Sequence, residues 1–333
     1  MVLNISNLKT KTPVYLAPMA GITDTPSRSI FQKFNPSLVV SEMIASSPSD
    51  KQYFINTVKS NLYKLSKQDV VCPTSVQIAG FEIDWMAEAA KIVESEGGTI
   101  IDINMGCPAK KIVGRQAGSG LMKYSDHALR IIDAVVKSTN LPVTLKMRLG
   151  WDENNLNAGF IAKRAEESGI KMLFIHARTR NQFFKGKADW AAIKPIKRII
   201  SIPVIINGDI VDLNSAMLAL GDSNADGLMI GRGAIGRPWL ISQLSSGIYG
   251  QQRSHGIPTN RQLAELVCLH LNRTLRFYGT KSGILIFRKH LAAYLKNLEI
   301  KKEEKLEILR ETTPKKLILL IRLCFTNNPM RMI

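Results

Sequence analysis

Eight short runs of β-forming residues recur along roughly the first 230 residues of this 333-residue chain, and they are almost continuously apolar. They are PVYLAP (13–18), LVVSEM (38–43), TSVQIA (74–79), TIIDIN (99–104), PVTLKMR (142–148), MLFIHA (172–177), PVIIN (203–207) and GLMIG (227–231). A strand buried on one face alternates apolar and polar residues, whereas a strand covered on both faces reads as a continuous apolar run. The pattern therefore predicts a parallel sheet with helices outside it. Helical spacing lies between the runs. Met86, Ala89, Ala90 and Val93 recur at i, i+3, i+4 and i+7, and Leu129, Ile132, Asp133 and Val136 keep that spacing with one polar interruption. Gly97-Gly98 and Gly169 are placed to stop two helices just before the next strand. Eight strand–helix units in this length predict an α/β fold, a (β/α)8 TIM barrel. The competing doubly wound sheet is disfavoured by the strand number and by the lack of an early G-x-G-x-x-G turn.

Strand signals vanish after residue 250, so we expect two domains, a barrel over 1–250 and a small all-helical domain over 251–333. Thr259-x-x-Gln262 reads as a capping box after Pro258, and Leu263, Leu266 and Val267 begin an apolar stripe. Phe287, Leu291, Tyr294 and Leu298 share one face of a second helix, and Thr313-Pro314 starts a last one. No run of about 18 apolar residues is present, and the N-terminus has no signal-peptide core, so the expectation is a cytoplasmic protein that does not span a membrane.

The formal net charge is +18. Residues 251–333 hold 16 Lys and Arg against 6 Glu, while the other 250 residues hold 29 against 21 acidic residues. Charge concentrated in the appendage points to a polyanionic partner rather than to a uniform compositional bias. The four cysteines, Cys72, Cys107, Cys268 and Cys324, form no C-x-x-C pair and no His/Cys cluster, so neither a metal site nor a disulfide framework is expected.

The active site of such a barrel lies at the C-terminal strand ends. Here those ends supply Met19-Ala20-Gly21, Glu42, Gln77, Asn104, Lys146 with Arg148, His176, Asn207-Gly208-Asp209 and Gly231-Arg232. Unpaired buried polar groups cost roughly 1–3 kcal/mol each, so a full ring of them points to a ligand. The glycines and Arg232 at the last two ends suit a phosphate. Gln77, Asn104 and Lys146 suit a planar polar ring such as a flavin, with Lys146 the cation for its reduced form; Lys146 also reads as a partner for an interior carboxylate such as Asp102. Cys107 lies between Gly106 and Pro108 in a turn past the fourth run, an unusual place for a packing thiol. An ordinary thiol, with pKa about 8.5, is protonated at neutral pH and can serve as a general acid. The other three cysteines read as structural.

The blocks APMAGITD (17–24), SEM (41–43), VQIAG (76–80), DINMGCPAKKI (102–112), KMRLGWD (146–152), IHARTR (175–180), NGDI (207–210) and MIGRGAIGRPW (229–239) together resemble the tRNA-dihydrouridine synthases. With RKHLAAYLKN (288–297) the chain most resembles the bacterial B-type subgroup. The resemblance implies FMN as cofactor, NADPH as reductant and reduction of the uracil C5=C6 bond in the tRNA D-loop, with Cys107 protonating C5. It implies FMN contacts at Pro18, Met19, Ala20, Gln77, Lys146, Asn207, Gly208, Asp209, Gly231 and Arg232, with His176 and Arg178 beside flavin or substrate. Gly120 departs from the Ala or Ser more usual in relatives, which bears on loop stiffness.

A target base must leave its stack to enter a barrel. The loop 106–123, with Lys110, Lys111, Arg115 and Lys123 among glycines, is suited to close over it and bring Cys107 into place. The segment 178–187 sets Arg178, Arg180, Lys185 and Lys187 around Phe183 and Phe184, phosphate contacts beside a stacking face. Asn104, Arg148, Arg288 and Lys289 complete the expected tRNA contacts, with Arg273, Arg276 and Lys296 nearby. The enzyme is expected to be monomeric. Other readings are a flavin barrel reducing a free small molecule, a non-catalytic RNA-binding protein and a phosphosugar enzyme. The basic C-terminal region argues against the first, the intact set of strand-end residues against the second, and the lack of a prominent carboxylate base beyond Glu42 and Asp102 against the third.

Overall fold

The computed structural model describes residues 3–5, 8–10, 12–45, 48–63, 65, 72–250 and 256–331. Eight parallel strands form its centre: β1 (Val14–Leu16), β2 (Leu38–Val40), β3 (Thr74–Ala79), β4 (Ile101–Met105), β5 (Val143–Arg148), β6 (Met172–His176), β7 (Val204–Asn207) and β8 (Gly227–Ile230). Each lies within one of the eight apolar runs or overlaps it. β8 pairs with β1, β1 with β2 and β2 with β3, so the sheet closes on itself as a barrel. Helices α1 (Thr25–Gln32), α2 (Lys51–Leu62), α3 (Ile83–Ser95), α4 (Ser125–Lys137), α5 (Ala158–Ser168), α6 (Ile193–Arg198), α7 (Leu213–Ser223) and α8 (Leu240–Tyr249) follow the strands in turn. Gly169 ends α5 in the left-handed region at φ 105°, as its position in the sequence predicts.

Side chains of a strand alternate between its two faces. One set packs outward against the helices. The other set fills the barrel: Tyr15, Leu38, Val40, Ile100, Met172, Phe174, Ile205 and Met229 form a separate buried cluster, with the Tyr15 and Phe174 rings edge to face at 5.5 Å. Ile5 joins that cluster from a short antiparallel pair, Leu3–Ile5 with Leu8–Thr10, which the sequence reading did not anticipate because three-residue strands carry no periodic signal. Above this apolar floor the inward positions turn polar.

Two local readings change. In α4 the buried stripe is Ala128, Ile131, Ile132 and Val135, one residue out of phase with the expected set; Leu129 and Val136 only flank it. At the last helix Thr313 stands at the cap position but makes no side-chain capping bond. The Glu311 carboxylate accepts from the Thr312 and Thr313 N–H groups instead.

Beyond the barrel come α9 (Asn260–Tyr278), α10 (Thr280–Tyr294), α11 (Lys302–Arg310) and α12 (Pro314–Asn327). Thr259 and Gln262 form the expected capping box on α9. The expected domain boundary abuts residues 251–255, which lie outside the described residues. The helices dock on the barrel through close backbone contact: a Cβ on Gly236, at φ 76°, would lie 2.4 Å from the Ala293 carbonyl oxygen.

A buried polar cluster spans this junction. The Ser27 hydroxyl on α1 bonds His270 Nε2 at 3.1 Å and His290 Nε2 at 3.3 Å, and His270 Nδ1 meets the Tyr294 hydroxyl at 3.2 Å. Burial pushes the His290 imidazole down to about 4, with Asp24 opposing and Lys289 adding to the shift; burial also holds His270 well below its usual value. A depressed histidine contributes stability that is present above its unfolded pKa and is lost as pH falls towards the folded pKa. The melting temperature is therefore expected to drop between pH 6.5 and 4, by the equivalent of roughly 2–3 kcal/mol. The slope should be shallower in His290→Gln. Identical pH dependence in both proteins would show that the His290 imidazole does not contribute to it.

Candidate active site

The polar layer follows from register. In parallel pairing Gln77 stands opposite Asp102, Asp102 opposite Thr144, Asn104 opposite Lys146, and Arg148 opposite His176, which in turn pairs with Asn207. All these side chains point to the barrel axis. Asn104, Lys146, His176 and Asn207 are each only 5–8% exposed, so their tips form the floor of one opening.

Lys146 Nζ donates to Asn207 Oδ1 at 3.1 Å, and Asn207 Nδ2 donates to the Met229 carbonyl at 2.8 Å. Lys146 has no direct bond to Asp102, whose oxygens are taken by Gln77 and Thr144 at 2.6 Å each. The two remaining Nζ donors have no partner among the bonds of the described residues, so the cation is available to a ligand. Burial pushes the Lys146 ammonium down to about 8, Arg148 pushes the same way, and Asp102 works against it. It remains mostly protonated at neutral pH. His176 is held well below its usual value by burial and by Arg148, Lys146, Arg178 and Arg232. Its Nε2 accepts from the Arg178 guanidinium at 3.3 Å, since a guanidinium only donates; the ring is neutral with its proton on Nδ1.

At the seventh and eighth strand ends the backbone opens. Gly208 and Asp209 both lie at positive φ, 123° and 53°. Asp209 binds Arg178 and the Ala188 N–H, and reaches Arg232 at 3.3 Å. Although burial works the other way, these contacts hold its carboxyl below the usual range. Arg232 is exposed beside Gly231, and a Cβ on Gly231 would stand 3.7 Å from Ala17 and Met19. An exposed cation, a bare backbone and a buried ammonium with free donors fit a phosphate-bearing group with a planar polar ring. Pro18 and Met19 are half-buried and Ala20 is exposed on the adjoining rim. There the Gly21 N–H bonds Glu42, whose carboxyl burial raises.

Cys107 is partly exposed, whereas Cys72, Cys268 and Cys324 are buried. Burial pushes those three thiols up to about 12, 11 and 12. The loop carrying Cys107 is braced at its base rather than loose throughout. Ser119 donates to the Cys107 carbonyl through its N–H at 3.1 Å and its hydroxyl at 2.8 Å, and Arg148 Nε donates to the Gly106 carbonyl at 2.8 Å. The tip, with Lys110, Lys111 and Arg115, is exposed, and so is Lys123 at the far end of the loop. A Cβ on Gly120 would meet nothing closer than 3.5 Å, so the departure from Ala or Ser at that position leaves the packing unaffected.

The basic residues divide into two groups. Arg148 and Arg178 are each 1% exposed. Arg148 also donates to the Thr179 and Phe183 carbonyls, and Arg178 to those of Lys185 and Gly186. They tie loops together. Arg180 is half-buried and lies 4.5 Å from the Trp151 ring centre, with Lys123 at 4.0 Å. Phe184 is exposed and sits 5.0 Å from Arg232 and 6.3 Å from His176, while Phe183 packs on Arg180. Lys289 is exposed and its Nζ lies 3.5 Å from where a Gly21 Cβ would be, which brings the helical region to the barrel mouth. Arg288 is half-buried with an unpartnered Nε, and Arg276 and Lys296 are exposed. Arg273 binds the Ser29 carbonyl at 3.0 Å, a strut to α1. Sequence reasoning missed Trp151 and Thr144. An aromatic in the Gly-Trp-Asp loop just past β5 was the available signal for the first; the second is set only by strand register. No cluster of three or more His, Cys, Asp and Glu able to hold a metal occurs among the described residues.

The dihydrouridine synthase family model matches residues 15–327. A probable tRNA-dihydrouridine synthase of Rhodobacter capsulatus is 46% identical over 328 residues, covering 98% of each chain. The tRNA-dihydrouridine synthase B of Pasteurella multocida is 43% identical, over 89% of this chain and 88% of that one. Among solved structures, morphinone reductase superposes with TM-score 0.53 at 14% identity over 74% of this chain and 88% of that one. A 2-naphthoyl-CoA reductase superposes with TM-score 0.56 at 12% identity over 75% and 52%. At such identities the likeness is one of fold. The match across nearly the whole length, on a closed (β/α)8 barrel with a polar mouth, places this chain in the dihydrouridine synthase family, the enzymes that reduce uridine to dihydrouridine in tRNA.

Proposed function

We propose that this chain reduces the C5=C6 bond of a D-loop uridine in tRNA, with FMN in the barrel mouth, NADPH as the reductant and Cys107 as the proton donor. The observation that carries the reading is the position of Cys107: it is the one partly exposed thiol of the four, on a braced turn whose N–H bonds Asn104, the strand neighbour of Lys146. When bound, FMN supplies the hydride for uracil C6. Pro18, Met19, Ala20, Lys146, His176, Asn207, Gly208, Asp209, Gly231 and Arg232 would hold it, with Gln77, fully buried beneath the opening, supporting them from below. Arg232 and the bare backbone at Gly231 would take the phosphate, and the Lys146 ammonium would favour added negative charge on the ring. Neutral His176 adds no further cation, yet its Nδ1–H can donate.

On the RNA side, Asn104 meets the base, and Cys107 delivers its thiol proton to C5. Lys110, Arg115, Arg180, Arg288 and Lys289 supply phosphate contacts around the opening. Arg148 and Arg178 act indirectly, by holding the loops that present these groups. Phe184 offers a ring on which an unstacked base can rest. The barrel acts as the catalytic domain and the helices after it as the tRNA-binding domain, in a cytoplasmic enzyme.

The test is direct. Yellow purified protein is incubated with NADPH and an unmodified tRNA transcript, and nuclease fragments are weighed. A D-loop fragment should gain the mass of two hydrogens. A folded, yellow protein that oxidises NADPH but leaves every uridine unchanged would overturn the reading.

A further inference from the structure

Four side chains and two backbone amides form one continuous chain of hydrogen bonds under the opening. Asp102 accepts from Thr144 Oγ1 and from Gln77 Nε2, both at 2.6 Å. Gln77 Oε1 accepts from Asn104 Nδ2 at 2.7 Å. Asn104 Oδ1 accepts from the N–H groups of Gly106 at 3.1 Å and Cys107 at 3.0 Å. Asp102 and Gln77 are fully buried.

A primary amide can turn two ways, presenting either nitrogen or oxygen to a given neighbour. In this chain only matched senses work, because reversing one amide sets donor against donor. An ionised carboxylate is acceptor-only and backbone N–H groups are donor-only. The acceptor stands at one end, the donors at the other, and both amides turn the same way between them. The carbonyls of the Cys107 turn are tied from elsewhere, by Arg148 and Ser119. The N–H groups of Gly106 and Cys107 are tied through Asn104 to this chain.

We infer that Asp102 is a positioning residue for the Cys107 turn, acting through Gln77 and Asn104 to fix which way the amides face. This rests on Cys107 being the proton donor. The role is one of hydrogen-bond direction rather than charge. Thr144 Oγ1 also lies 3.4 Å from the Ile101 carbonyl, so its hydroxyl can turn there and accept from residue 102. An Asn at 102 can then keep its oxygen towards Gln77.

The test compares Asp102→Leu, Asp102→Asn and wild type as the full-length holoenzyme. Hydrogen exchange is followed at the Gly106 and Cys107 amides, alongside NADPH oxidation and dihydrouridine formation. In Asp102→Leu these two amides should exchange about tenfold faster or more, while β7 and β8 keep their protection. Dihydrouridine formation should fall roughly ten- to hundredfold, as misplacement of a catalytic group does. Asp102→Asn should stay within about threefold of wild type in both respects. Should Asp102→Leu fail to fold, Gln77→Leu cuts the same chain one link on and should expose the same two amides. Unchanged protection of Gly106 and Cys107 in the folded variant, or an Asn variant as impaired as Leu, overturns the inference. Exchange needs no RNA, so a wild-type protein inactive on tRNA would refute the proposed reaction and leave this reading of the chain intact.

Discussion

Cys107→Ala is expected to retain flavin and NADPH oxidation while dihydrouridine formation falls about 10²–10⁴-fold, the usual contribution of a positioned general acid. The physical basis is a division of labour. The residues proposed to hold the cofactor lie at the ends of strands other than β4, which leads into Cys107, and among the described residues none of them bonds to the Cys107 side chain. Removing the sulfur leaves the turn anchored through its backbone to Asn104, Ser119 and Arg148. Cys107→Ser keeps the shape but offers a hydroxyl far less acidic than a thiol, so it should recover little. Quantifying dihydrouridine and NADPH oxidation on the same samples checks this. Equal loss of both would mean that Cys107 supports the cofactor; full activity in the Ala variant would remove it from the chemistry.

Arg148→Met is expected to cost at least about 3 kcal/mol of stability and to disable the enzyme without a matching loss of tRNA affinity. The side chain is 1% exposed, and its guanidinium serves the carbonyls of Gly106, Thr179 and Phe183. Those carbonyls belong to the two loops that flank the opening, so their loss loosens both at once. Lysine is no substitute, because a single ammonium lacks the planar fork that reaches separate acceptors. Thermal melting together with tRNA binding at fixed salt separates the two roles. An unchanged melting temperature with weakened, less salt-sensitive binding would make Arg148 a phosphate contact instead.

The contrast between these two residues shows how much of the site was legible beforehand. Cys107 was identifiable because Gly and Pro on either side announce a turn, and a turn at a strand end faces the barrel mouth. Lys146, Asn207 and Gly231 were identifiable for the same reason, as polar or bare positions ending apolar runs. Arg148 and Arg178 satisfied that same rule and were expected at the RNA surface, yet their guanidiniums turn inward. A long side chain goes where acceptors are, and here the acceptors are carbonyls of its own and neighbouring loops. The phase of the α4 stripe was off by one residue, because the face that α4 turns inward is set by its packing between α3 and α5, and that face carries Ala128.

The sequence by itself determined the architecture, since eight doubly buried strands with helices between them admit few ways to hide both faces, and it determined which strand ends carry polar chemistry. It also showed charge gathered after residue 250, which composition records without any geometry. Tertiary structure alone decided what those polar groups do to one another. Asp102 faces Gln77 and Thr144, 25 and 42 positions away along the sequence, because parallel strands pair in that register, and the resulting chain runs on through Asn104 to the Cys107 turn. A hydrogen bond depends on direction and on the neighbour's state, and neither is written in the residue that makes it.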